Sequence, residues 1–69
     1  MTVEKSIDLT ATGSSVEEAI AEAVDRAALT LRGVTGFEVE RIEGLVADGE
    51  ITYRVLLRIS FVIKEQLHE

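Results

Sequence analysis

The chain opens on a period of two. Val3, Ile7, Leu9 and Ala11 share one face with Lys5, while Thr2, Glu4, Ser6, Asp8, Thr10 and Thr12 share the other. That alternation predicts a strand over residues 3–11 with one buried face. Gly13 then breaks the pattern. Ser14 or Ser15 offers a helix cap, since Ser14 with Glu17 and Ser15 with Glu18 both fit the capping-box spacing. Val16, Ile20, Ala23, Val24, Ala27 and Leu31 recur at threes and fours and form one apolar stripe. The alanines at 19, 23, 27 and 28 would let this helix lie close against a sheet. Gly33 sits where a C-terminal cap belongs.

Phe37 to Ala47 reads as a second strand whose alternation is imperfect: Phe37 and Val39 share a face, but Ile42 has the opposite parity. A bulge or strong bend near Arg41–Gly44 would restore the faces. Asp48-Gly49 is a strong hairpin signal. In the third strand, Ile51 to Ile63, one face carries Tyr53, Val55, Leu57, Ile59, Phe61 and Ile63 without interruption. The other holds Thr52, Arg54, Leu56, Arg58, Ser60, Val62 and Lys64, so it is mixed. A strand this apolar belongs at the centre of a sheet. The predicted fold is α+β in the order β-α-β-β, a single domain over residues 1–69: a three-stranded antiparallel sheet with strand 3 central and one helix across it.

That architecture leaves a deficit. Strand 3 would span about 43 Å, whereas a helix of about 17 residues spans only about 26 Å. One helix does not shield such a sheet, and the reverse face carries Leu56 and Val62. Sixty-nine residues support only a marginal core. Without cysteines the chain has neither disulfides nor thiolate zinc sites. The lone histidine, His68, is a poor anchor for a structural metal. Self-association is the remaining route to stability, in keeping with 46% hydrophobic residues and a mean hydropathy of +0.20.

Charge and composition narrow the function classes. Thirteen acidic against seven basic residues give a net charge of −6, which argues against non-specific nucleic-acid binding. No apolar run approaches the roughly 20 residues of a membrane span. Met1 to Lys5 lead straight into the first strand with no secretory apolar region, so a cytoplasmic protein is expected. Enzyme signatures are missing: there is no nucleophile elbow, no Cys/His pair and no phosphate-cradling glycine loop. Glu17 and Glu18 read as helix-start charges that suit the dipole. The tail from Lys64 to Glu69 reads as frayed, with His68 inert.

Several of these segments together resemble the dodecin family along nearly the whole chain. They are Val3-x-Lys5-x-Ile7-x-Leu9, then Ala19-Ile20 through Arg26-Ala27 to Thr30-Leu31-Arg32, then Phe37-Glu38-Val39, Ile42-x-Gly44, Asp48-Gly49 and Tyr53-x-Val55-x-Leu57-x-Ile59-x-Phe61. The resemblance implies a hollow homododecamer of cubic symmetry with helices outward, binding flavins in pairs near two-fold axes for storage or sequestration. The family stacks the flavin on a tryptophan just before the Phe/Ala-Glu-Val segment. It hydrogen-bonds the ring with a glutamine directly after the aromatic residue of strand 3. Here those positions hold Gly36 and Arg54, and the chain has no tryptophan. Losing a stacking face removes about 1–3 kcal/mol per ring, by analogy with bases stacked on aromatic side chains. The standard flavin mode is therefore not expected, and the chain resembles more closely dodecin-like proteins without the flavin pair, a group in which calcium binding has been described.

The expectation is a non-enzymatic homo-oligomeric shell that binds or stores a small ligand or ion, with its flavin site degraded. Its partner is itself, with no nucleic acid and no membrane. Two alternatives stand beside it: flavin bound in an altered mode, and calcium or another divalent cation. Arg54 suits an anion, or else a salt bridge to Glu38, Glu40 or a neighbouring subunit's carboxylate. Glu4, Asp8, Glu40, Glu43, Asp48 and Glu50 are the oxygen donors a calcium ion would draw on. No EF-hand spacing singles out a set among them, so no metal ligand is assigned.

Overall fold

The computed structural model describes residues 2–64, so His68 and the tail after Lys64 lie outside it. Strand β1 (Thr2–Gly13) leads into helix α1 (Val16–Thr30), followed by β2 (Val34–Ala47) and β3 (Glu50–Lys64). The sheet order is β1-β3-β2, both pairings antiparallel, with the third strand central as its unbroken apolar face predicts. β1 runs two residues past the expected end, because Thr12 and Gly13 still find partners in Arg54 and Tyr53 of the long central strand.

Helix α1 starts in the second of the two capping registers. Ser15 is extended, and its Oγ accepts from the Glu18 amide at 3.0 Å. The Glu18 carboxylate reaches one residue further back than a standard capping box and accepts from the Ser14 amide at 2.7 Å. Its hydrogen bonds from the Ser14 hydroxyl and amide hold its pKa below the ordinary glutamate value. The other end differs from expectation. The cap is Leu31, in an extended conformation, and Gly33 falls two residues later. Gly33 has φ +76° and its carbonyl accepts from the Val62 amide at 3.0 Å. A Cβ there would lie 2.9 Å from the Val62 side chain, so this glycine turns the chain onto the end of β3.

The alanine line of the helix is the contact line. Ala19, Ala23 and Ala27 are buried against Val55, Leu57 and Ile59, which are fully buried, with Ile7, Leu9, Ala11, Val16, Ile20, Val24, Val34 and Val39 packed around them. Small side chains bring the helix axis close enough to seal the central strand, whereas Ala28 faces solvent.

The parity conflict in β2 is resolved one residue earlier than expected. Val39 pairs with Leu57 and Arg41 with Leu56, so Glu40 is the extra residue, and Ile42 returns to the helix side opposite Val55. A second irregularity at Thr35 lies between Val34–Phe61 and Gly36–Ser60, where the Thr35 hydroxyl donates to the Ser60 carbonyl at 3.3 Å. Asp48 (φ 52°) and Gly49 (φ 79°) both adopt left-handed backbone between the paired Ala47 and Glu50. That is the two-residue hairpin whose twist suits the flanking strands.

The uncovered apolar surface is not where alternation alone located it. Leu56 and Val62 are half-buried, Val62 beside Gly33 and Leu56 among charged neighbours. The exposed large apolar residues of the sheet lie on the helix side: Phe37 is 49% exposed, Ile42 53%, Val46 75% and Ile51 56%, with Val3 and Ile63 also exposed at the opposite end of the sheet. The helix, about 22 Å long, lies over β1 and β3 and leaves the hairpin half of β2 bare.

Candidate functional site

The face of the sheet turned away from the helix gathers the charge of the strands. In one row Asp8, Arg58 and Glu38 lie side by side across the three strands. Arg58 Nε donates to Asp8 Oδ1 at 3.1 Å, and its Nη2 reaches Glu40 Oε2 at 3.2 Å. The hydrogen bond to Asp8 and the charge of Glu40 raise the pKa of the Arg58 guanidinium. The bulge at Glu40 is what swings that carboxylate toward Arg58, so a backbone irregularity places a functional side chain.

Nearer the hairpin, Thr12, Arg54 and Glu43 form another row, with Thr10, Leu56 and Arg41 between the two. Arg54 Nε donates to Glu43 Oε1 at 2.8 Å, and Arg41 Nη2 lies 3.1 Å from Glu43 Oε2. The Arg54 hydrogen bond and charge hold the Glu43 carboxyl below its ordinary pKa. Thr10, Arg41, Glu43, Arg54 and Leu56 line a shallow hollow of about 140 Å³.

Gly36 and Arg54 lie on this same open face, Gly36 opposite Ser60 and Arg54 opposite Glu43. Six residues of β3 separate these rows, about 20 Å, so one subunit does not bring the two together. A Cβ at Gly36 would meet nothing within 4 Å, which leaves room but no ring to stack on. Arg54 pairs with Glu43 rather than Glu38 or Glu40, and a guanidinium offers donors only, where glutamine offers both a donor and an acceptor. A flavin held as the resemblance implies would meet no ring at Gly36 and no acceptor on Arg54.

The calcium candidates are spread along the sheet. Asp8 and Glu40 are held by Arg58, and Glu43 by Arg54 and Arg41. Glu4 lies opposite Val62, Glu50 opposite Ala47, and Asp48 forms the turn. Among the described residues no three carboxylates or histidines come close enough to hold a metal, and no helix is long and apolar enough to cross a membrane. The roles of Arg41 and Arg58 were missed in the sequence; Arg58 meets Glu40 only through the bulge, whereas its bond to Asp8 follows the regular β1–β3 register. Arg58 stands four residues after Arg54, hence on the same face, and that parity was the available signal.

Comparison with known proteins gives a consistent result. The family model described as Dodecin matches residues 3–64. A Thermus thermophilus dodecin is 34% identical with a TM-score of 0.88, covering 96% of this chain and 100% of its own. A Streptomyces coelicolor dodecin is 30% identical with a TM-score of 0.86, covering 94% and 96%. A Mycobacterium tuberculosis protein described as a calcium-chelating antigen, calcium dodecin, with a novel calcium-binding site, is 35% identical with a TM-score of 0.80, covering 97% and 99%. No curated protein matches the chain.

Proposed function

The chain belongs to the dodecin family, and we propose that it is a non-enzymatic shell subunit that assembles with copies of itself, as a dodecamer, to bind or store a small ligand or ion. The observation that carries the assembly is the bare helix-side surface of β2 and the hairpin end of β3, where Phe37, Ile42, Val46 and Ile51 stand about half exposed or more. A surface of this kind on a domain with so small a core calls for a cover. The ligand side is the opposite face, where Arg54 and Gly36 replace the residues that would hold flavin. Native mass spectrometry tests the assembly, and a monomer in dilute buffer would overturn it. Riboflavin and FMN titrations followed by fluorescence test the ligand side: strong quenching at micromolar protein would restore flavin as the cargo, in an altered mode. The cytoplasm is the proposed location, to be checked by cell fractionation.

Calcium is the second reading, favoured by the likeness to the calcium-chelating Mycobacterium protein. Because no single subunit gathers three carboxylates among its described residues, such a site would draw ligands from several copies around a symmetry axis, which supplies the six to eight oxygens calcium prefers. Calorimetry with calcium on the assembled protein decides it, and absence of saturable heat removes the reading.

A further inference from the structure

We propose that the hollow formed by Thr10, Leu56 and the Arg41–Glu43–Arg54 triad binds a tetrahedral oxyanion, as inorganic phosphate or as a phosphomonoester. This rests on the reading that the open face is the ligand face and names the chemistry it would take.

The charge arithmetic is local. Each oxygen of Glu43 is engaged by a different guanidinium, Oε1 by Arg54 at 2.8 Å and Oε2 by Arg41 at 3.1 Å. One carboxylate cannot neutralise two arginines, so the triad keeps a positive charge in a chain whose total is −6. The neighbouring row has the opposite balance, with Asp8, Glu40 and Glu38 around the single Arg58, so of these two rows only the triad keeps a positive charge. The hydrogen bond and charge of Arg54 favour the ionised form of Glu43. It is a fixed brace that orients the two forks.

Donor counting points the same way. A guanidinium carries five N–H donors and no acceptor, and each arginine commits one contact to Glu43. The remaining donors border a hollow of about 140 Å³ with Thr10 on one side and Leu56 beside it. At roughly 30 Å³ per water this space holds about four or five waters, enough for one phosphate with residual solvent. A ligand that only accepts hydrogen bonds and carries negative charge matches the unspent guanidinium donors of Arg41 and Arg54, the two Glu43 oxygens being already engaged by them. A flavin ring, with alternating donors and acceptors, does not.

The test uses the full chain in its native state. Inorganic phosphate is titrated by calorimetry and followed by phosphorus NMR, with native mass spectrometry on the same samples. Saturable binding is expected. Arg54→Gln and Arg41→Gln each weaken it by about tenfold, the loss of one charge-assisted hydrogen bond. Glu43→Gln tightens it severalfold, because the internal competitor loses its charge. A merely structural triad would show stability changes in these variants and no response to phosphate. Phenyl phosphate separates the sources: binding tighter than that of phosphate identifies a phosphomonoester, and equal binding identifies the free anion. Wild type and Glu43→Gln both silent toward millimolar phosphate, with the assembly mass intact, would overturn the site while leaving the shell reading in place. Binding by a monomer would do the reverse.

Discussion

Replacing Ile42 with Asp separates the stability of the subunit from that of the assembly. In the isolated subunit Ile42 lies opposite Val55 and is 53% exposed. Full burial of such a side chain stabilises by about 1.5–3 kcal/mol, so the buried half contributes about 1 kcal/mol, which is all the substitution removes from the lone fold. The new carboxylate still reaches water there. Once a second copy covers β2, the same carboxylate is desolvated with no strand cation of its own subunit beside it, because Arg41, Arg54 and Arg58 belong to the opposite face and Lys5 lies opposite Phe61, toward the other end of the sheet. An unpaired buried charge costs several kcal/mol. At about 3 kcal/mol association weakens by about a hundredfold per contact, and every copy in a closed shell carries the same defect.

Sedimentation velocity and native mass spectrometry of Ile42→Asp should therefore show the large species lost at concentrations where the wild type keeps it. Circular dichroism should retain mixed helix and strand signal, with a urea midpoint only slightly lower when the two are compared at equal oligomeric state. Leu56→Asp is the matched control on the open face, where its cost to assembly should be small. An Ile42→Asp protein of unchanged mass would refute the assignment of β2 to the interface. If Leu56→Asp alone dissociates the particle, the contacts lie on the charged face instead.

Three further outcomes test other parts of the reasoning. Gly36→Trp combined with Arg54→Gln should gain riboflavin quenching absent from the wild type, since a side chain at Gly36 meets open space; no gain would mean that more than these two residues separates this chain from flavin binders. Glu43 should titrate below ordinary glutamates, so the stability its pairing adds is fully present above the unfolded-state value and is lost as pH falls through the depressed one; in Arg54→Gln its carbon-13 carboxyl titration should move back up, and an unmoved curve would discount the 2.8 Å pair. Gly13→Ala should lower the thermal midpoint measured by circular dichroism, because its Cβ would lie 2.9 Å from the Ala19 amide nitrogen, against helix backbone that cannot yield as a side-chain tip can.

The fold was legible because its governing signals are local and periodic. The uninterrupted face from Tyr53 to Ile63 placed β3 at the centre, Asp48-Gly49 closed the hairpin, and Ser15 with Glu18 started the helix. What stayed hidden depended on the third dimension. Alternation flags Leu56 and Val62 as apolar on the reverse face, yet it does not report that the arginine rows and the Gly33 turn flank them. Nor does it report that a helix 15 residues long favours β1 over β2 and stops short of the hairpin, which is what leaves Phe37, Ile42, Val46 and Ile51 bare. The irregular parity at Ile42 announced a bulge but not its place, and on that place depends which arginine meets Glu40.

The same period of two explains how a family scaffold can keep its fold while its binding chemistry changes. Along β3 the core residues Val55, Leu57 and Ile59 alternate strictly with Arg54, Leu56 and Arg58. The core set meets the alanine line of α1, while the arginine set lies on the opposite face of the sheet. A substitution on one parity leaves the contacts of the other nearly untouched, since neighbouring side chains along a strand point to opposite faces. Gly36 and Arg54 both lie on the open-face parity, so a change at either position leaves the core contacts in place and alters only what the open face presents. The limit on such change is the bulge. Glu40 belongs to both accounts, restoring Ile42 to the apolar side and delivering a carboxylate to Arg58, so deleting that residue would shift the rest of β2 by one position and exchange its two faces at once.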